Sequence, residues 1–177
     1  KKGKKLAMIR AVETTEGLSK FGQPIFLNLK DGKLSQQHNS QKLIDKLLEK
    51  VNPDFIITHD PNDYHPDHRE LSRLICNGAG FNYPIFFCDT LMGVNFVPEY
   101  YVDITSFFKA KRKAILCHKS QAPEKFLEAA EIMNRYRAAQ CNLPKENFVE
   151  VFRSNKTFPF SDIRNLLPPA PKLRPFY

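Results

Sequence analysis

Short apolar segments alternate with longer amphipathic ones along most of this sequence, and this alternation constrains the fold more than any other feature. The short segments are rich in β-branched and aromatic residues, as strands are; they are FIIT (55–58), PIFFCD (84–89), YYVDI (100–104) and NFVEVFR (147–153). Between them, apolar residues recur every three to four positions, which is typical of helices packed on a core. Strands that alternate with helices form βαβ units, so we predict an α/β fold with a mainly parallel sheet.

The amino-terminal part of the chain follows the same alternation. We predict a loop over residues 1–5, a helix over 6–21 that Gly22 ends, and a buried strand, PIFLNL, over 24–29. The segment KDGK at 30–33 predicts a turn.

The size of the chain suits one globular domain with a substantial core, since it has 177 residues of which 42% are hydrophobic. We place this domain at residues 1–158. The remainder, 159–177, contains the proline-rich run LLPPAPKLRPFY, which predicts an extended and poorly packed tail. No run of 18 apolar residues occurs, so we predict no membrane span.

The net charge of +8 can attract nucleic acid, anionic lipid or an anionic small molecule. Much of it lies in KKGKK (1–5) and FFKAKRK (107–113), while the sequence has no Trp and no Cys/His finger. We therefore expect solvated basic faces and no nucleic-acid partner. The cysteines form no CxxC motif and indicate reduced thiols of an intracellular, cytoplasmic protein. They are Cys76, Cys88, Cys117 and Cys141.

A dense group of titratable residues, HDPNDYHPDHRE (59–70), directly follows the predicted strand FIIT. In parallel sheets, ligands bind beyond the carboxyl ends of the strands. Pro66 suits the first turn of a helix, which would place His65 and His68 about one turn apart at its start. The position of this group predicts a functional site.

The residue types in this group fit a metal site. Neutral imidazole is a common zinc ligand, so one histidine of the pair His65 and His68 can bind a metal while the other faces the same cavity. Asp67 can orient a histidine through a hydrogen bond. Asp60 and Asn62 are typical turn residues, and we interpret them as turn formers.

The other histidines supply no second metal motif. We predict that His38 is solvated and that His59 is structural, and for His118 both a place in the pocket and a solvated position stay open. Catalytic zinc sites use three protein ligands. We therefore expect this chain alone to bind zinc weakly.

Several motifs occur in an order that resembles the LmbE-like, or PIG-L, family of zinc-dependent deacetylases. The resemblance covers roughly residues 6–153. The motifs are Arg10-x-x-Glu13, LNLKDGKL (27–34), HPDHR (65–69), VDITSFFKAKRKAILCHKSQ (102–121) and NFVEVFR (147–153).

This resemblance implies a Rossmann-like three-layer sandwich that holds Zn²⁺, or another divalent metal. Family members begin with a strand and a His-Pro-Asp-Asp motif that supplies two metal ligands and the general base, and this chain contains no such motif. We expect that an amino-terminal segment with one or more strands is absent from this chain. The alternative is a divergent protein that has lost its metal.

The resemblance also implies roles for individual residues. His68 matches the metal ligand, and His65 matches a positively charged histidine that stabilises the oxyanion. Asp67 matches the carboxylate that pairs with that histidine, and Arg10 matches an arginine of the substrate cavity. The family's tyrosine in the last strand is a phenylalanine here, and Tyr64 is a candidate to replace its hydroxyl.

Together these features predict a metal-dependent hydrolase that removes an N-acetyl group from an N-acetylglucosamine-type sugar or glycoconjugate. Its partner would be a small-molecule substrate, and a homo-oligomer is possible. Two alternatives stay open at this stage. One is a basic module that binds nucleic acid or an anionic surface, and the other is a metal-dependent phosphoesterase.

Overall fold

The computed structural model describes residues 2–156, 164–172 and 174. Five α-helices and four strands occur in this part of the chain. The helices are α1 (Lys2–Leu18), α2 (Ser40–Val51), α3 (Pro66–Ala79), α4 (Phe108–Leu116) and α5 (Pro123–Gln140). The strands are β1 (Ile56–Thr58), β2 (Ile85–Cys88), β3 (Tyr100–Asp103) and β4 (Val149–Ser154).

The strands form one open sheet in the order β1-β2-β4-β3. β1 and β2 are parallel, with Ile57 opposite Phe86, and helix α3 makes the crossover that a parallel pair requires. β4 then runs antiparallel to both β2 and β3. The predicted α/β class is confirmed, and parallel pairing is confined to the first two strands of the sheet.

Strand β2 is buried on both faces of the sheet, and its successive side chains point to opposite sides. Ile85 and Phe87 join a cluster with residues of α2 and α3, including Ile44 and Leu74. Phe86, between them in sequence, joins a second cluster on the opposite face. Side chains covered on both faces explain why β2 reads as a continuous apolar run.

The amino-terminal elements differ from those predicted. Helix α1 begins at Lys2, where we expected a loop over 1–5, and it ends at Leu18, before Phe21. The predicted strand 24–29 is not a strand: Ile25 is 56% exposed and Asn28 has φ of +54°, in the left-handed region. A left-handed residue interrupts an extended segment, so the apolar composition alone did not produce a strand here.

The carboxy-terminal segment also differs in part from the predicted poorly packed tail. Leu167 is buried and packs in the cluster of Phe86, Val102 and Phe152. The predicted boundary between 158 and 159 lies outside the described residues. Among the helices of residues 2–156 and 164–172, none is both long and apolar enough to cross a membrane.

A buried ion pair ties the loop after β1 to strand β4. The carboxylate of Asp60 is fully buried, and Arg153 donates to it through both Nε and Nη2, the latter at 3.0 Å. This hydrogen-bonded carboxylate raises the pKa of the Arg153 guanidinium. The predicted turn role of Asp60 is confirmed as well, because its Oδ1 accepts from the backbone N–H of Asn62 at 2.7 Å.

We expect Asp60→Asn to lower the free energy of unfolding by about 3 kcal/mol, because it leaves a partly buried guanidinium without its counter-charge. Combining it with Arg153→Met should recover part of this loss, since an apolar pair leaves no unpaired charge. The measurement is urea-induced unfolding.

Glu70→Gln is the matched control, because Glu70 also receives two hydrogen bonds from one arginine, Arg73, but this pair lies at the surface. It should cost less than about 1 kcal/mol. Equal losses for the two carboxylate variants would contradict the structural importance of the buried pair.

Candidate active site

The loop from His59 to His65 joins the carboxyl end of β1 to α3 and is held by its own polar groups. The backbone N–H of Asp63 donates to the Asp60 carbonyl at 3.0 Å. His65 is the N-cap of α3, and its Nδ1 accepts from the backbone N–H of Asp67 at 3.2 Å. Pro66 follows in the first turn, as predicted. The loop therefore fixes the direction of its side chains at the position where α/β folds bind ligands.

Two histidines and one aspartate converge at this loop and the first turn of α3. The ligating atoms of His59, Asp63 and His68 all lie within 4.8 Å of one another. The rings of His59 and His68 are stacked, with centroids 3.8 Å apart and an interplanar angle of 2°. Asp63 is buried, and its Oδ1 lies 3.0 Å from Nδ1 of His68.

Asp63 orients His68 as the outer carboxylate of a metal-binding histidine usually does. A carboxylate beside Nδ1 accepts its proton and leaves the lone pair on Nε2. The same Oδ1 of Asp63 accepts from the backbone N–H of His65 at 2.8 Å, so the carboxylate is held by the loop as well. His68 thus presents Nε2 as its donor atom.

Burial lowers the pKa of His59, and the neighbouring His68 lowers it further. The lowered pKa favours the neutral imidazole, which is the form that binds a metal. Its ring is parallel to that of His68, however, so the in-plane lone pairs of the two rings do not meet at one point. A shared ion would require one ring to rotate about its Cβ–Cγ bond.

The chemistry of these groups suits a divalent metal, since imidazole and carboxylate are donor types that zinc takes in catalytic sites. In this arrangement the imidazoles are the candidate donors, because Asp63 faces Nδ1 of His68 and orients that ring. We expected His59 to be structural and did not single out Asp63, yet the structure places both beside His68. Asp63 accepts a hydrogen bond from the backbone N–H of His65 within its own turn. An aspartate in such a turn is a common feature of sequences, so the sequence did not indicate its additional contact with His68.

His65 and Asp67 lie beside the cluster but do not form the expected pair. The carboxylate of Asp67 accepts from the backbone N–H groups of Gly32 at 2.6 Å and Leu34 at 3.1 Å. It therefore fixes the turn at 30–33 against α3, instead of binding the imidazole of His65. Nδ1 of His65 accepts from the backbone N–H of Asp67, so Nε2 is the ring nitrogen that remains for other contacts.

A cavity of about 500 Å³ opens beside the cluster. Apolar side chains of α5 and of other elements line it, together with polar groups of α4, α5 and β4. The lining residues include His59, Asp63, Tyr64, His68, Cys88, Lys111, Phe126, Met133, Asn134 and Glu150. Tyr64, a candidate substrate-binding residue, is among them.

Cys88 is the cysteine among these lining residues. Burial raises the pKa of its thiol to about 11. The thiol is therefore protonated near neutral pH, and a thiolate nucleophile is not part of this site.

Arg10 is not among the residues that line this cavity. Its Nη1 lies 3.1 Å from Oδ2 of the exposed Asp31, and Glu13 receives hydrogen bonds from the backbone N–H and the hydroxyl of Ser120, both at 2.7 Å. These bonds, above all that from the hydroxyl, lower the pKa of Glu13. The pair Arg10 and Glu13 therefore joins α1 to two other segments in this structure. His118 is likewise not among the lining residues.

Comparisons with known proteins agree with this architecture. Residues 1–78 match the family model described as PIG-L, GlcNAc-PI de-N-acetylase. A search of curated proteins gives no significant match.

Three solved structures share the fold. N,N′-diacetylchitobiose deacetylase from Pyrococcus horikoshii is 25% identical, with a TM-score of 0.73, over 93% of this chain and 70% of that chain. The 4-carboxy-2-hydroxymuconate hydratase GalB from Pseudomonas putida KT2440 is 18% identical, with a TM-score of 0.75, over 90% of this chain and 76% of that chain. The conserved protein TT1542 from Thermus thermophilus is 23% identical, with a TM-score of 0.71, over 87% of this chain and 77% of that chain.

These matches confirm the resemblance predicted from the motifs: the chain carries a PIG-L (LmbE-like) domain match over residues 1–78, and its mixed α/β sheet is the fold of LmbE-like proteins.

Proposed function

We propose that this protein is a zinc-dependent deacetylase that removes the N-acetyl group from an N-acetylglucosamine-type sugar or glycoconjugate. The observation that carries the proposal is the convergence of His59, Asp63 and His68 at the carboxyl end of β1, beside a cavity. The family match and the deacetylase neighbour support the reaction class. One structural neighbour is named as a hydratase and another as a deacetylase, so the fold alone does not identify the reaction. The reaction has to be inferred from the residues of the site.

His68, through Nε2, would be the principal metal ligand, with Asp63 fixing its ring and His59 as a further donor. A bound zinc ion supplies Lewis-acid polarisation and lowers the pKa of water toward neutrality. The role of the chain's own residues is to hold that ion, orient the acetyl group and stabilise the charge that develops on its oxygen.

His65 is the residue that we assign to the developing oxyanion. Its Nδ1 is occupied by the backbone N–H of Asp67, so its Nε2–H is available as a donor in a fixed direction. A donor aimed at charge that appears only in the transition state accelerates the chemical step. Tyr64, beside both histidine rings, is a candidate for a second donor to the substrate. Asp67 would support the site indirectly, because it fixes the turn at 30–33 against α3.

We expect His68→Ala to lose bound metal, whereas His65→Ala should keep the metal and lose about 100- to 1000-fold in rate, the usual cost of removing an oxyanion donor. The measurements are metal content after zinc loading and release of acetate from N-acetylglucosaminides. If His65→Ala loses zinc while His68→Ala retains it, the two assignments are reversed.

We expect Asp63→Asn to weaken zinc binding about 10- to 100-fold, because an outer carboxylate orients the histidine and increases its basicity. Competition with a chromophoric chelator measures the affinity. Asp54→Asn is the control, since Asp54 is exposed and lies before β1. An unchanged affinity in Asp63→Asn would show that His68 does not depend on this carboxylate.

A further inference from the structure

A second polar cluster lies in the same cavity and involves none of the residues assigned above. Lys111 of α4, Asn134 of α5 and Glu150 of β4 meet there, so three separate elements supply one side chain each. The ammonium of Lys111 donates to Oδ1 of Asn134 at 2.8 Å and to Oε1 of Glu150 at 2.6 Å.

A hydrogen bond to the backbone fixes the orientation of Asn134 in this cluster. Asn134 is buried, and its Nδ2 donates to the backbone carbonyl of Val149 at 2.8 Å, so its Oδ1 is fixed toward Lys111. The side chains of Lys111 and Glu150 are 29% and 35% exposed, and both line the cavity. The two charges are therefore partly shielded from water but remain accessible to a molecule in the cavity.

The hydrogen-bonding capacity of this cluster is not fully used within the described part of the chain. An ammonium has three N–H donors, and Lys111 uses two of them. A carboxylate has two acceptor oxygens, and Glu150 uses Oε1. One N–H of Lys111 and Oε2 of Glu150 thus remain as a neighbouring donor and acceptor.

A hydroxyl group is the complement of such a pair, because it accepts and donates at one oxygen. The charges of Lys111 and Glu150 cancel, so the pair favours an uncharged ligand over an anion. The same cavity also offers an apolar surface, which Phe126 and Met133 of α5 supply. A sugar ring offers both features, since its edge carries hydroxyl groups and its face presents C–H groups.

We propose that Lys111 and Glu150 determine specificity by binding one hydroxyl group of the sugar, and that Asn134 positions Lys111. This inference rests on the proposed function, because it assigns the sugar to the cavity beside the histidine cluster. Sites that hydrogen-bond a substrate hydroxyl discriminate strongly against the analogue that lacks it, since the polar groups of the site are then left unpaired.

The test is calorimetric binding of N-acetylglucosamine and its 3-, 4- and 6-deoxy analogues to the full chain. We expect one deoxy analogue to bind about 10- to 100-fold more weakly than the parent sugar, as a lost hydrogen bond to a charged group implies. Lys111→Met and Glu150→Gln should each reduce this discrimination to near unity. Lys109→Met, on the same helix but outside the lining of this cavity, should leave it unchanged.

A purely structural tie between α4 and β4 would give a different result. In that case the variants would unfold at lower temperature and bind the parent sugar and all deoxy analogues equally more weakly, with the discrimination ratio intact. That outcome overturns the inference, as does failure of the unmodified protein to bind N-acetylglucosamine. Glu150→Gln preserves shape and one acceptor, so it keeps the test decisive if Lys111→Met does not fold.

His68→Ala separates this inference from the proposed function. The variant should lose zinc but keep both sugar binding and the preference for the hydroxyl. If sugar binding and discrimination persist while zinc-loaded protein releases no acetate, the deacetylase proposal fails and the hydroxyl site stands. If acetate is released but discrimination does not depend on Lys111 and Glu150, the reverse holds.

Discussion

The geometry of the site depends on the ion pair between the fully buried carboxylate of Asp60 and the guanidinium of Arg153. This pair joins the loop after β1 to strand β4, two segments 93 residues apart in sequence. A buried ion pair adds little net stability, because desolvation offsets much of the attraction, but removing one partner is costly. Such a pair therefore acts mainly as a constraint on structure. Here it sets the path of the loop that carries His59, Asp63 and His65.

Within that loop and the start of α3, two aspartates hold the local structure in different ways. Asp63 accepts from the backbone N–H of His65 and also contacts His68, while Asp67 opens α3 and holds the turn at 30–33. Replacing Asp63 would therefore change both the course of the loop and the environment of the His68 imidazole, whereas replacing Asp67 would release the turn at 30–33. These contacts explain how a short loop can position the cluster of His59, Asp63 and His68 without a disulfide or a long insertion.

The cavity combines this fixed cluster with a surface suited to a ring. The histidines lie at the carboxyl end of β1, and the pair Lys111 and Glu150 lies on elements from the second half of the chain. Apolar side chains of α5 line the same cavity as the two polar regions. A ligand held at one region and reacting at the other would be oriented by both, which is how remote contacts contribute to catalysis.

The sequence by itself determined the α/β class, the strand at FIIT, the helix that starts at Pro66 and the place of the histidine cluster between them. These depend on local periodicity and on proline geometry, which short stretches of sequence carry. Local pattern failed at 24–29, where an apolar composition predicted a strand that Asn28 interrupts. Only the tertiary structure decided which carboxylate faces which imidazole and that Lys111 meets Glu150, 39 residues away. Those choices depend on how elements pack across the sheet, and neither spacing nor composition encodes the direction of a side chain in the folded protein.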